Sequence, residues 1–151
     1  MEIKEISTQT FLIYSTETTL AHVNAVAIRE VDALYGTAKE SGLQPVAPLE
    51  FIYWNASSDD HAPITLEIAL PIAPTTVAIP EKYSVQERAG FKAVSHTHVG
   101  DFSSVSTVYE QLYTDIFGAG LKPKNQVREV YKHWVDLTSP ENITDILVEV
   151  E

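Results

Sequence analysis

The chain carries one helix-ending signal twice, as Ser41-Gly-Leu-Gln-Pro45 and as Ala119-Gly-Leu-Lys-Pro123. Each copy combines a glycine, which commonly ends a helix, with a proline, which cannot continue one. The stretch before each helical region also matches, as Phe11-Leu-Ile-Tyr-Ser15 and Phe91-Lys-Ala-Val-Ser95. Residues 1–151 are therefore predicted to form one domain of two similar halves, at about 1–72 and 76–151.

Both halves contain the same elements in the same order. Apolar residues recur at three- and four-residue steps from about Thr19 to Glu40 and from about Ser103 to Ala119, which predicts two helices. A leading strand precedes each helix, and the second one is predicted to bend at Ala89-Gly90. Two β-branched or aromatic runs follow each helix, at 49–55 and 64–70 and then at 127–135 and 143–150.

One helix on three strands buries too small a core to be stable alone, so the two halves should share a core. The predicted fold class is α+β, with duplicated strand-helix-strand-strand halves, a mostly antiparallel sheet and both helices on one face. We expect the other face to be partly uncovered. Because related strands converge there from two directions, a cleft on that face is the predicted place for a ligand.

Composition excludes several classes of function. The chain has no cysteine, which excludes disulfides, thiolate zinc sites and cysteine nucleophiles. Ten Lys and Arg stand against 21 Asp and Glu, a formal net charge of −11, which disfavours direct nucleic-acid binding but would allow docking on a protein partner. We expect a cytoplasmic protein without membrane contact, because no signal-peptide pattern or long apolar run is present.

The strongest candidate for a functional residue is an acid within an aromatic strand. Along residues 128–134, alternation places Glu129, Tyr131 and His133 on one face and Val130 on the other, where we expect the core. A carboxylate among aromatic rings is costly to desolvate unless it meets a partner or water. This pattern predicts an anionic anchor for a flat or cationic molecule. Aromatic packing at half-exposed strand positions is the alternative.

Further candidates follow from the repeat and from strand parity. The repeat offset places Phe51 and Tyr53 on the face equivalent to that of Glu129, and it matches Glu67 with Asp145. Both tryptophans have the opposite parity, which favours core or edge packing, although a bulge could turn either into the cleft. The predicted ligand-binding residues are Glu129, Tyr131, Tyr53, Phe51, Trp54, Trp134 and Glu67.

Other sites are not indicated by the sequence. His96 and His98 have a two-residue spacing that a metal could use, but no third ligand is in register, so no metal site is predicted. Tyr109 and Tyr113 fit either a pocket rim or helix packing. No nucleophile elbow, phosphate-binding loop or dinucleotide fingerprint is present, and no cofactor is expected.

Four short motifs occur in a suggestive order, as His98-Val-Gly-Asp-Phe102, Gly120-Leu-Lys-Pro123, Glu129-Val-Tyr131 and Thr144-Asp-Ile146. They resemble the His-x-Gly-x-Tyr, Gly-Leu, Glu-x-Tyr and Thr-x-Ile pattern of GyrI-like effector-binding domains. The resemblance implies the duplicated fold, also seen in haem-binding SOUL proteins, and a stand-alone small-molecule binder. It also implies that Glu129 contacts the ligand beside Tyr131. Phe102 departs from the pattern, in which a tyrosine is usual.

The resemblance leaves several functions open. The first is binding of a hydrophobic, aromatic or cationic compound without a cofactor. The second is hydrolysis of cyclopropane-bearing, DNA-alkylating compounds, with Glu129 and Tyr131 holding water and Trp54 or Trp134 stacking on the substrate. The third is a protein-interaction module like the gyrase-inhibiting relatives, and haem binding by analogy with SOUL proteins is a weaker fourth option. We favour the first.

Overall fold

All eight strands of the molecule belong to one antiparallel sheet, which the computed structural model describes together with two helices over residues 1–151. The elements in chain order are β1 Glu2–Ile6, β2 Gln9–Thr19, a short 3-10 turn Leu20–His22, α1 Val23–Glu40, β3 Glu50–Trp54, β4 Pro63–Pro71, β5 Ser84–Arg88, β6 Phe91–Val99, α2 Val105–Gly118, β7 Pro123–His133 and β8 Ile143–Val150.

The sheet is arranged symmetrically about its two central strands. Its order is β1-β6-β8-β7-β3-β4-β2-β5, and every neighbouring pair is antiparallel. The equivalent strands β3 and β7 pair with each other, and β4-β2 on one side corresponds to β8-β6 on the other. The predicted α+β class with duplicated strand-helix-strand-strand halves is therefore confirmed.

The two halves exchange their first strands. β1 pairs with β6, whereas β5 pairs with β2. Ile6 lies opposite Phe91 and Gln9 lies opposite Arg88, so one antiparallel register continues through both pairings. β1 and β2 thus continue each other as one long strand, interrupted at residues 7–8, and β5 and β6 form another, interrupted at residues 89–90. The two long strands cross at these interruptions. A Cβ atom at Gly90 would lie 2.3 Å from the carbonyl oxygen of Ile6, which explains glycine at the crossing.

Both helices pack on the same face of the sheet. α1 packs mainly on β2 and β4, and α2 packs on β6. The buried faces of the helices, including Leu34 of α1 and Ile116 of α2, join one core with sheet residues such as Leu66. The central strands β3 and β7 lie between these two contact regions. We call this region between the helices, with β3 and β7 as its floor, the groove.

The first helix begins later than the apolar spacing predicts. Thr19 is still the last residue of β2, where it pairs with Pro63, and the 3-10 turn intervenes before α1 begins at Val23. Strand pairing with β4 overrides the local helical spacing there. Neither helix combines the length and the apolar composition that a bilayer span requires.

The other face of the sheet is partly covered, by the crossing strands and not by a helix. Phe11, Ile13 and Ile52 form part of a second, smaller core there. The guanidinium of Arg128, a residue only 2% exposed, lies 5.3 Å from the ring centre of Phe11 and 4.6 Å from that of Phe91. Both phenylalanines come from the crossing strands, so the curved sheet folds over its own face. The residues predicted to line a cleft on this face lie on the helix-bearing face instead, whereas this face stays partly open, with Val130 half-buried on it.

Candidate functional site

A buried glutamate forms the centre of the groove between the helices. Glu129 is 4% exposed, on the helix-facing side of β7. Its Oε1 accepts hydrogen bonds from the hydroxyls of Tyr53 at 2.8 Å and Tyr131 at 2.6 Å. Its Oε2 accepts one from the hydroxyl of Tyr109, on α2, at 2.7 Å. Glu129 is absent from all seven ion pairs of the structure, so three phenols hold a buried carboxylate that has no basic partner.

Burial and hydrogen bonding act on this carboxylate in opposite directions. Burial raises the pKa of Glu129, and the hydrogen bonds from Tyr131, Tyr109 and Tyr53 oppose the rise because they favour the ionised form. Burial, and then the nearby carboxylate, also raise the pKa values of the three tyrosines well above the ordinary value. The phenols therefore remain protonated donors, and Glu129 is the one group of the cluster whose charge depends on the balance between burial and hydrogen bonding.

Aromatic rings continue from this cage toward the surface. Phe51 meets Tyr131 edge to face, with 4.9 Å between ring centres. Trp134 lies 5.3 Å from Tyr131 and 5.5 Å from Phe102, again in edge-to-face geometry. Such contacts are typical of packed aromatic clusters and present both ring faces and ring edges to a neighbour. We call this group of residues the Glu129 site. Its members are Phe51, Tyr53, Phe102, Tyr109, Glu129, Tyr131 and Trp134.

A bulge in β7 brings Trp134 into this group. Tyr131 pairs with Thr144, but His133 pairs with Ile143, so two steps along β7 match one step along β8. The extra residue inverts the alternation. The prediction that His133 shares the face of Tyr131 is therefore wrong. In a regular strand Trp134 would point away from Tyr131, but after the bulge it turns toward the rings and stays 41% exposed.

The predicted grouping is correct, but its side of the sheet is not. Phe51, Tyr53, Glu129 and Tyr131 come together as strand parity predicts, on the face that carries the helices. Val130, expected in the core, lies half-buried on the opposite face. Both faces of these strands carry apolar residues, so parity alone could not show which face the helices cover.

Trp54 and Glu67 do not reach the Glu129 site. The indole of Trp54 donates to Glu67 Oε1 at 2.6 Å, and Arg88 donates to both carboxylate oxygens of Glu67 at 2.8 and 2.5 Å. These residues lie on the opposite face because they have the other parity in β3 and β4. The structure therefore separates two of the predicted ligand-binding residues from the other five.

A cavity of about 240 Å³ opens beside this second cluster. Its polar groups bond mainly to one another: Arg128 Nε donates to Gln126 Oε1 at 2.7 Å, and Arg128 Nη1 lies 3.5 Å from Glu50. No group of three or more His, Asp or Glu side chains is arranged to hold a metal ion. The residues that line the cavity are Trp54, Arg88, Ala89, Gly90, Phe91, Gln126, Arg128 and Glu149.

Sequence comparison gives no family for the chain, since no family model and no curated protein matches it. Structural comparison shows the fold. The C-terminal domain of EcmrR superposes with a TM-score of 0.82 at 19% identity, covering 99% of this chain and 96% of that domain. EcmrR in a complex with DNA gives 0.84 at 18% identity, and this chain, 99% covered, spans 56% of that protein.

Two other solved structures are also similar. SAV2435 bound to tetraphenylphosphonium has a TM-score of 0.67 at 16% identity, with 99% of this chain and 93% of that chain covered. A hydrolase from Listeria innocua has 0.65 at 15% identity, with 99% and 91% covered. Likeness at these identities shows the fold. The chain has the GyrI-like fold that its four motifs predicted.

Proposed function

We propose that this chain is a small-molecule binding domain that holds a hydrophobic or aromatic cation at Glu129. The observation that carries the proposal is the buried carboxylate that has three phenol donors and no basic partner. An ionised carboxylate is costly to bury without a counterion, and a bound cation would supply one. The aromatic rings beside Glu129 attract the same class of molecule through their negative faces.

The exposure of the three tyrosines indicates how a ligand would enter. Tyr53 is buried at the floor of the groove, whereas Tyr109 and Tyr131 are half-buried. A ligand would therefore approach Glu129 by turning the two outer phenols aside while Tyr53 keeps its hydrogen bond. The net charge of −11 would raise the local concentration of a cation around the molecule.

Binding is better supported than hydrolysis at the same residues. In the proposed hydrolytic role, Glu129 and Tyr131 would hold a water molecule. The three phenols already occupy three of about four lone-pair positions of the carboxylate. Trp134 lies at the site and could stack on a substrate, but Trp54, the other tryptophan considered for that role, bonds to Glu67 on the opposite face. We therefore place binding first.

The proposal is tested with a cation and a neutral molecule of similar shape. SAV2435, which shares the fold, was solved with tetraphenylphosphonium, and this cation is the first probe. We expect isothermal titration at pH 8 to show binding of tetraphenylphosphonium at least about tenfold tighter than binding of neutral triphenylphosphine oxide, because only the cation gains the carboxylate. Equal affinities, or no binding of either compound, would contradict the proposal.

Tyr109→Phe tests whether the phenols set the charge of Glu129. The substitution removes the hydrogen bond to Oε2, so the pKa of Glu129 should rise further. A hydrogen bond to a charged group is worth about 1.5–3 kcal/mol, so the pH midpoint of tetraphenylphosphonium binding should move up by about one unit or more. Tyr113→Phe is the matched control, because the Tyr113 ring packs on Phe117 and its hydroxyl makes no hydrogen bond. A midpoint that is the same in Tyr109→Phe and wild type would count against this role.

A further inference from the structure

Thr144 carries a buried hydroxyl that has no hydrogen-bond partner. Its side-chain oxygen is the one buried side-chain nitrogen or oxygen atom of the molecule in this condition, and the residue is 0% exposed. Buried polar groups are almost always hydrogen-bonded, because an unpaired one loses its bonds to water without replacement. Valine has nearly the same shape and would fill this position without that cost. The hydroxyl therefore calls for a partner that is not part of the folded chain.

The position of Thr144 connects it to the Glu129 site. On β8 it lies directly opposite Tyr131 of β7 on one side and His98 of β6 on the other. The ring of Phe102 lies 6.0 Å from that of His98 and 6.2 Å from that of Tyr131, so it connects the rings of the two residues that flank Thr144 on the neighbouring strands. Thr144 thus lies beneath the aromatic wall of the groove.

Thr144 is also within one ligand's reach of the carboxylate. Glu129 pairs with Ile146, two residues from Thr144 on the same face of β8. Such diagonal neighbours on adjacent strands lie about 7–8 Å apart. Tyr131 connects the two positions, since its hydroxyl bonds to Glu129 and its backbone pairs with Thr144. A molecule that turns Tyr131 aside to reach the carboxylate would uncover the threonine hydroxyl as well.

We propose that Thr144 is a specificity-determining residue of the Glu129 site, and that it selects cations which carry a hydroxyl or carbonyl group on a short arm. The inference rests on the proposed function, because the cation at Glu129 places that polar group near Thr144. In the free protein the hydroxyl is unpaired and destabilises the fold. In the complex it exchanges a hydrogen bond with the polar group of the ligand, which favours such ligands over purely hydrophobic cations.

Two phosphonium probes of nearly equal size test this inference. (2-Hydroxyethyl)triphenylphosphonium carries a hydroxyl where n-propyltriphenylphosphonium carries a methyl group. We expect Thr144→Val to weaken binding of the hydroxyethyl compound by about tenfold while changing binding of the propyl compound by less than about twofold. Thr144→Ser keeps the hydroxyl and should retain the wild-type preference. Thr144→Ala also removes the hydroxyl and should have the same effect on the preference as Thr144→Val. All affinities are measured by isothermal titration.

Thermal unfolding supplies a readout that does not depend on the ligand. Thr144→Val should raise the melting temperature by about 2–4 °C, because it removes an unpaired buried hydroxyl at nearly constant volume. A loss of affinity for both probes by the same factor, or for neither, would overturn the role of Thr144 and leave Glu129 as the anchor. If neither probe binds to the wild type, the proposed function fails, and the inference about Thr144 fails with it.

Discussion

Glu129→Gln is expected to lower the affinity for tetraphenylphosphonium by about 30-fold or more at pH 8, since removing one partner of a buried charge pair costs about 2–5 kcal/mol. The amide is nearly isosteric with the carboxylate: its oxygen can still accept the hydroxyls of Tyr53 and Tyr131, and its NH2 group, in the place of Oε2, can donate to the hydroxyl oxygen of Tyr109. The variant therefore removes the charge and keeps the cage.

The affinity for the cation should depend on pH in wild type but not in Glu129→Gln. Only the ionised carboxylate attracts a cation, so wild-type affinity should increase as pH rises through the raised pKa of Glu129. The affinity of Glu129→Gln should be flat from pH 4 to pH 8. The two proteins should bind equally at the acidic end, where the wild-type carboxyl is protonated, and parallel titration curves would show that Glu129 is not the anchor.

As pH rises, the folding stability of the wild type should fall while its affinity for the cation increases. The pKa of Glu129 is higher in the folded state than in the unfolded state, so folded protein binds the proton more tightly and loses stability as pH rises between the two values. Glu129→Gln should consequently be more stable than wild type at pH 8 and similar at pH 4, as measured by urea denaturation. Glu67→Gln is the matched control, because it breaks the Arg88 pair on the other face and should leave the pH dependence of binding intact.

Gly90→Ala is expected to destabilise the fold by about 3 kcal/mol, a value at the upper end for overpacking. The new Cβ would lie 2.3 Å from the carbonyl oxygen of Ile6, and a backbone atom cannot turn away as a flexible side chain can. The two long strands would have to separate at their crossing. Urea denaturation measures the loss as a lower midpoint at an unchanged slope.

Gly36→Ala is the matched control for this substitution. Gly36 lies inside α1, and a Cβ there would meet no atom within 4 Å. Alanine should therefore stabilise the helix by about 0.5–1 kcal/mol, because it loses less backbone freedom on folding than glycine does. Equal effects of the two substitutions would mean that the close approach at Gly90 is not what requires glycine.

Strand alternation was sufficient to group the central residues of the site. Glu129 and Tyr131 are two residues apart on one strand, and the repeat carried the same parity to Phe51 and Tyr53. Parity could not identify the helix-covered face, because the opposite face is also apolar, with Phe11 buried there beneath the curved sheet. Curvature depends on how the strands cross, which no short segment of sequence reveals.

The remaining partners depend on contacts between elements that are distant in sequence. Tyr109 reaches Glu129 because of the rotation of α2 over the sheet, and its spacing from Tyr113 fits plain helix packing equally well. Trp134 reaches the rings through a bulge that has no glycine or proline to announce it. The sequence makes Glu67 a candidate only through its match with Asp145 in the repeat. Its pairing with Arg88 does not follow from strand register, because Arg88 lies opposite Gln9 and Glu67 lies opposite Ser15 along β2.

The exchange of first strands also constrains when the chain can fold. β2 acquires one of its two neighbours only after residues 84–88 have been synthesised, and β6 needs both residues 2–6 and residues 143–150. Contacts between such distant segments slow folding, because a long loop must close before any of them can form. The sheet can therefore be completed only once β8 has left the ribosome, and until then β6 carries an unpaired edge, whereas β2 already has both β4 and β5 available.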